Sequence, residues 1–447
     1  MTTLPVEGTA RRALLEELYA AAVAAAAPGP AVRRALDDGP AAGERVWLFA
    51  LGKAALPMAT AAVTWLAERG RAPAGGLVVA PALDAAPHPT LEVVVGDHPE
   101  PGPGSLAAAE ALARHAARVG AGDEAWVLLS GGATALLGAP IDGVTPAELT
   151  ALYRLLLGSG LDITAMNRIR KRFSRWGGGR LAAALAPARV RALLVSDVIG
   201  DDLPSIGSGP CVPDPTTARE IREALEAAGL WDRVPPSLRA HVQHTETGRL
   251  PETPKPGDAA FVAVDTRLVV SNRLALEAAA ARARALGLAP AIMEPALAGE
   301  AAAAGAMVAQ AVLTYKPASA SQPAAGSPIC LIWGGETTVT LGEDPPGLGG
   351  RSQELALAAA QALAKHAGAT PEPPMILAAG TDGRDGPTDA AGAIVGPHTW
   401  DAIRRAGRNP ARDLAAHDAY RALDAVGALL RPGLTGTNVM DVVFGIR

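Results

Sequence analysis

Cysteine, aromatic residues and a surplus of either charge are all scarce in this chain. Only Cys211 and Cys330 occur among 447 residues, with no CxxC pair. That usage fits unpaired thiols in a reducing cytoplasm and argues against a disulfide-stapled fold. Aromatics make up 3% of the chain, and alanine fills the helices instead. Forty basic against 45 acidic side chains leave a net charge of −5. Such a balance offers no electrostatic footprint for nucleic acid or for an anionic membrane surface. The apolar runs are too short or too interrupted for a membrane span. No N-terminal segment combines a basic start, an apolar core and a cleavage site. The eight histidines form no HExxH and no tight His/Cys cluster, so a structural zinc site is not expected.

What the chain does have is core material, 49% hydrophobic, in a regular alternation. Strands are expected at Val46–Leu51, Leu91–Val95, Ala125–Leu129 and Ala192–Val195. Between and after them lie helical stretches at Ala54–Arg69, Ser105–Val119, Pro146–Leu157 and Thr217–Ala228. This order predicts a mostly parallel sheet with helices on both faces. The pattern breaks at Pro235–Pro256, where five prolines and little apolar content read as a linker. A second α/β set follows, with a strand at Leu268–Val270 and helices at Arg273–Leu286 and Gly299–Tyr315. A low-complexity loop is expected at Lys316–Ser327, and a hairpin pair at Ile329–Trp333 and Thr337–Leu341. A helix at Gln353–His366 and strands at Met375–Ala379 and Val442–Ile446 complete it. The expected domains are therefore 1–240 and 257–447, in line with a prior of roughly 150 residues per domain.

Chemistry gathers at the expected strand ends. The run Met375–Val395 climbs through apolar residues to Gly380, then packs Asp382, Arg384, Asp385 and Asp389 into one loop. Clustered acids there suit Mg²⁺, which takes one or two carboxylates plus substrate phosphates, although a solvated acidic turn reads equally well. Lys53 follows a strand and Gly52 at a helix start, where it can reach a phosphate alongside the helix N–H groups. Ser130-Gly131-Gly132 lets backbone N–H groups approach an anion. It is neither a Walker loop nor a GxGxxG dinucleotide fingerprint. Asp197 ends a strand before the glycine- and serine-rich Gly207-Ser208-Gly209 loop, as a base or a metal ligand. Gly347-Leu348-Gly349-Gly350 delivers Arg351 to a helix start, suited to gripping phosphate or carboxylate. Asn167–Arg180 carries six cations in fourteen residues and reads as a solvated helix face or as an anion-attracting surface. This inventory is what phosphoryl transfer needs.

Nine collinear segments, from about Arg11 to Val443, carry a resemblance. They are ALGKAA, GDHPEPGPGS, LLSGGATALL, MNRIRKRFSRWGGGRLA, LLVSDVIGDDLPSIGSGPCVPDPTT, GGETTVTL, GLGGRSQELALAAA, AAGTDGRDGPTDAAGAIV and LTGTNVMDVV. Together they resemble the glycerate 2-kinases (class II glycerate kinases, the MOFRL family). The resemblance implies an α/β protein of two domains, an N-terminal Rossmann-like doubly wound sheet and a C-terminal α/β MOFRL domain. It implies ATP-dependent phosphorylation of D-glycerate at the 2-hydroxyl, giving 2-phosphoglycerate, with Mg²⁺. Lys53, Asp197 and Arg351 match positions that look catalytic. Ser130, Gly131, Gly132, Asn167, Arg170, Lys171, Gly207, Ser208, Gly209, Glu336, Thr437 and Asn438 match substrate- or nucleotide-binding positions. Asp382 and Asp385 match the acidic, metal-holding loop, and Asp441 ends the terminal GTN-x-x-D element. The partners implied are D-glycerate and ATP, with a homodimer left open. An NAD(P)H-dependent hydroxypyruvate reductase is the alternative, since related sequences carry that name. Two departures stand out. The basic helix opens Met166-Asn167 and ends in Trp176-Gly177-Gly178-Gly179, and Met440 replaces a second asparagine of the terminal element.

Overall fold

The computed structural model describes residues 9–82, 85–161, 163–317, 327–342, 345–366, 368 and 372–447. Most of the expected low-complexity loop, 318–326, lies outside them. Two compact units emerge, one of residues 28–269 and one of 9–27 together with 270–447. The chain thus crosses between units twice, after Ala27 and after Val269. Among the described residues no helix is long and apolar enough to cross a membrane.

The 28–269 unit holds six strands: β1 (Val46–Leu51), β2 (Gly75–Ala80), β3 (Leu91–Val95), β4 (Glu124–Leu129), β5 (Arg189–Val195) and β6 (Val264–Val270). Their spatial order is β3-β2-β1-β4-β5-β6, and the pairs from β3 to β5 are parallel. Because helices cover both faces, β1, β2 and β4 are buried along their whole length and read as near-continuous apolar runs. The sequence pattern hides β2, since Gly75-Gly76 at its start looks like a turn. The strand order reverses between β1 and β4. That is the switch point where open α/β sheets bind ligands. In-register pairing of Leu51 with Leu129 brings the loops after β1 and β4 out side by side.

The expected linker is mostly not one. Pro236–Glu246 is a helix, opened by a proline whose missing N–H costs nothing at that position. Leu238 and Val242 are fully buried with Ile221 and Leu225 in a satellite core. The polar sequence disguises a helix that buries only a narrow stripe.

In the second unit the strands are β7 (Ala289–Ile292), β8 (Ile329–Gly335), β9 (Met375–Gly380), β10 (Gly392–Val395), β11 (Leu429–Leu430) and β12 (Asp441–Ile446). They run β11-β10-β9-β12-β8-β7. β12 is antiparallel to both β8 and β9. The carboxyl ends of β8 and β9 and the start of β12 therefore share one sheet edge. The hairpin expected at 329–341 does not form. β8 takes β12 and β7 as partners, and Thr338 makes only a bridge to Glu300. A long-range apolar strand, Val442–Phe444, outcompetes the local pairing. The helix Thr9–Ala25, placed by sequence with the first domain, belongs to this unit. Tyr19 Oη donates to the Gly380 carbonyl at 2.9 Å, and Thr437 Oγ1 donates to the Ala26 carbonyl at 2.6 Å.

Candidate active site

At the switch point of the 28–269 unit two loops are laced together. Lys53 N donates to Gly131 O at 2.9 Å, and Ala54 N donates to the Ser130 hydroxyl at 3.0 Å. Ser130 is 2% exposed, so its hydroxyl serves this junction. Asp197, just past β5, lies against the same loop. A Cβ at Gly131 would come within 2.6 Å of Asp197 Cγ, so only glycine lets the carboxylate approach. Gly132 has φ +84°, the left-handed region. A Cβ there would fall 3.2 Å from Lys53 Cγ and 3.2 Å from His98 Cδ2. Lys53, Asp197 and His98 therefore converge on Gly131-Gly132 from three different strand ends. Partial burial and the Lys53 charge hold His98 below the usual imidazole range. His98 lies in the GDHPEPGPGS segment. Its sequence signature is a histidine just past a strand.

The 207–209 loop packs against the end of β4 and the turn that follows it. Ser208 Oγ lies 2.9 Å from Thr134 Oγ1, and Ser208 itself adopts φ +67°, an uncommon conformation for a residue with a Cβ. Its backbone is largely structural: the carbonyls of Ser208 and Gly209 accept from Gly178 N and Gly179 N at 2.8 Å.

The basic stretch is not an open cationic surface. Only Ile163–Arg172 and Arg180–Leu185 are helical. Lys171 is 4% exposed and pairs with Asp214 at 2.9 Å. Arg172 pairs with Glu252 at 2.8 Å, and Arg180 donates to the carbonyls of Lys171, Arg172, Ser174 and Gly177. Its cations mainly hold the 28–269 unit together. Arg170 stacks over Tyr153 at 5.0 Å, its Nε buried without a hydrogen-bond partner among the described residues. Asn167 is half-buried on the same helix.

In the second unit the shared sheet edge centres on Arg351, the first residue of the helix Arg351–Ala364. It donates to Asp441 from Nε at 2.6 Å and from Nη2 at 3.0 Å, and from Nη1 to Glu336. A guanidinium has five N–H donors, so two remain for an anion. Burial works against the charge, but the Asp441 hydrogen bond and the Asp441 and Glu336 charges outweigh it and raise the Arg351 pKa. Burial also raises the carboxyl of Asp441, with Arg351 opposing. Thr437 and Asn438 sit beside this group in backbone roles. Thr437 anchors the end of the first helix, and Asn438 Oδ1 accepts from Met440 N at 3.1 Å. Met440 has φ +67°, a conformation in which asparagine is enriched. The backbone at Met440 is thus one that asparagine adopts more readily than methionine.

The carboxylates of the acidic loop are largely engaged in holding the fold. Asp385 is 4% exposed, and its two oxygens accept from Ser352 N at 3.2 Å and Gln353 N at 2.8 Å. It supplies from another loop the helix cap that Gly350 lacks. Burial pushes its carboxyl up to about 7, against those two N–H groups. Asp382 Oδ1 accepts from Arg384 N at 3.0 Å within its own turn. Asp389 accepts from Tyr420 and Arg431. Among the described residues no group of three or more His, Cys, Asp or Glu is placed to hold a metal.

A doubly wound sheet with Lys53 and Asp197 at its switch point, and a second sheet presenting an arginine at a helix start, define an α/β protein of two units. Residues 14–243 match the model of a domain of unknown function, DUF4147, and residues 329–441 that of the MOFRL family. The chain is 36% identical over 402 residues to a glycerate 2-kinase of Pyrococcus horikoshii, covering 90% of this chain and 87% of that one. It is 38% identical over 432 residues to a protein of Agrobacterium vitis provisionally named a hydroxypyruvate reductase, covering 96% and 93%. The crystal structure of a glycerate kinase from Thermotoga maritima superposes with a TM-score of 0.86 at 34% identity, covering 98% and 99%. The chain belongs to the glycerate 2-kinase family, with its MOFRL domain.

Proposed function

We propose that this protein transfers the terminal phosphoryl group of ATP to the 2-hydroxyl of D-glycerate, giving 2-phosphoglycerate and ADP. The observation that carries the reading is the convergence of Lys53 and Asp197 on the Gly131-Gly132 loop at the switch point. Lys53 offers an exposed ammonium for a phosphate or for the glycerate carboxylate. Asp197 lies where it can orient the attacking hydroxyl. In the other unit, the two remaining donors of Arg351 suit a phosphoryl or carboxylate oxygen. Catalysis by positioned charge is the expected strategy for phosphoryl transfer. Mg²⁺ would accompany ATP and supply charge neutralisation of its phosphates, and Asp382, only partly buried, is the carboxylate of the acidic loop that would hold it.

The reductase reading has less support, since the loops at the switch point lack the glycine spacing of a dinucleotide fingerprint. Two assays on one preparation separate the readings. A kinase forms ADP only when D-glycerate is present and is indifferent to NAD(P)H. Hydroxypyruvate-dependent loss of NAD(P)H absorbance without ATP would replace the kinase with the reductase.

A further inference from the structure

Besides the loops after β1, β4 and β5, the chain after β3 reaches the switch point and brings a histidine. His98 follows β3 through Gly96-Asp97. The position a Cβ would take at Gly132 is 3.2 Å from His98 Cδ2, 3.2 Å from Lys53 Cγ and 3.3 Å from Lys53 Cε. Imidazole and lysine therefore flank the same glycine. One residue earlier, the Asp197 carboxylate lies against Gly131. Consecutive Cα atoms are about 3.8 Å apart, so the three side chains border the same short stretch of backbone.

The surroundings leave the ring available. His98 is exposed, and among the described residues its ring nitrogens have no hydrogen-bond partner. Lys53 faces it from the loop after β1, and Asp197 lies across the glycines from the loop after β5. The neighbouring Asp97 is tied to the next helix, accepting from Ser105 N at 3.1 Å. Partial burial and the Lys53 charge favour the neutral ring, so a lone pair is present at neutral pH.

Resting on the kinase reading, we propose that His98 is a further catalytic residue that takes up the proton of the attacking 2-hydroxyl. The hydroxyl O–H bond breaks as an N–H bond forms on the imidazole. The oxygen bonds to the terminal phosphorus of ATP, the bond from that phosphorus to the bridging oxygen breaks, and ADP leaves with the electron pair. The imidazolium, beside Lys53 and open to water, then returns its proton to solvent. Asp197 positions the hydroxyl.

The test uses the full chain, with ADP formation from ATP and D-glycerate followed from about pH 5 to 9. Wild type is compared with His98→Gln, His98→Asn and His98→Ala, and melting temperatures check that each variant is folded. We expect kcat to fall by about 10²–10⁴-fold with little change in KM. The acid limb of the wild-type profile should vanish in His98→Gln, and added imidazole should restore part of the rate of His98→Ala. A His98→Gln rate within about 3-fold of wild type overturns the proposal and leaves the kinase reading standing. A slow His98→Gln that keeps the acid limb, with no imidazole rescue of His98→Ala, also overturns it. A folded wild type that is inactive on D-glycerate overturns both.

Discussion

Truncating Arg351 to alanine should strand a buried carboxylate, and the cost follows from the geometry. Arg351 holds both oxygens of Asp441, at 2.6 and 3.0 Å, and the Asp441 side chain is 10% exposed. Deleting one partner of a buried pair costs about 3–5 kcal/mol. The Arg351 side chain is 34% exposed, so water screens the pair and the expected loss is about 2–3 kcal/mol. The Glu336 contact, to a carboxylate open to solvent, adds little. The loss should depend on pH in a definite direction. Burial raises the Asp441 pKa and Arg351 opposes that, so in Arg351→Ala it rises further. A carboxyl raised on folding binds its proton more tightly in the folded state. Its stabilising effect is present at low pH and disappears as pH rises through the folded pKa. The deficit should therefore be smaller near pH 5 than near pH 8, and adding Asp441→Asn should flatten the dependence. Urea denaturation of the wild type and the single and double variants measures this. A deficit below about 0.5 kcal/mol, or one unchanged between the two pH values, would refute the assignment of Asp441 as a buried, arginine-dependent anion.

Gly131→Ala places a methyl group in the Asp197 carboxylate. It should slow turnover by about tenfold or more while costing about 1–3 kcal/mol in stability, read from steady-state rates and melting curves. Lys171→Met leaves Asp214 unpaired in the interior. It should cost about 3–5 kcal/mol, with KM for D-glycerate within about 3-fold of wild type; a selective rise in KM would return Lys171 to the binding site. Asp385→Asn removes one of two acceptors from a helix N-terminus. Stability should fall by about 1–2 kcal/mol, and the Mg²⁺ concentration for half-maximal rate should move by less than about 2-fold.

The legible parts of the fold were those written locally. Fully buried parallel strands read as apolar runs, and Lys53, Asp197 and Arg351 stand out because each follows a strand or glycine loop. What stayed hidden depends on partners far along the chain. The six cations of 167–180 look like a surface until Asp214 and Glu252 are folded against Lys171 and Arg172. Thr437 looks like a binding residue until its hydroxyl meets Ala26, 411 residues away. Asp385 looks like a metal ligand until the helix at Arg351 presents its N–H groups. Polar residues carry the same signature whether they face a ligand or stitch the fold, and only tertiary pairing separates the two. The helix Pro236–Glu246 shows the same ambiguity in backbone form, a polar, proline-flanked stretch folded by one buried stripe.

The most direct test of the central claim is the identity of the product. Purified protein incubated with ATP, Mg²⁺ and D-glycerate, followed by ³¹P NMR, should accumulate 2-phosphoglycerate in step with ADP. No phosphorylated glycerate from well-folded protein would contradict the kinase assignment, and 3-phosphoglycerate would contradict transfer to the 2-hydroxyl.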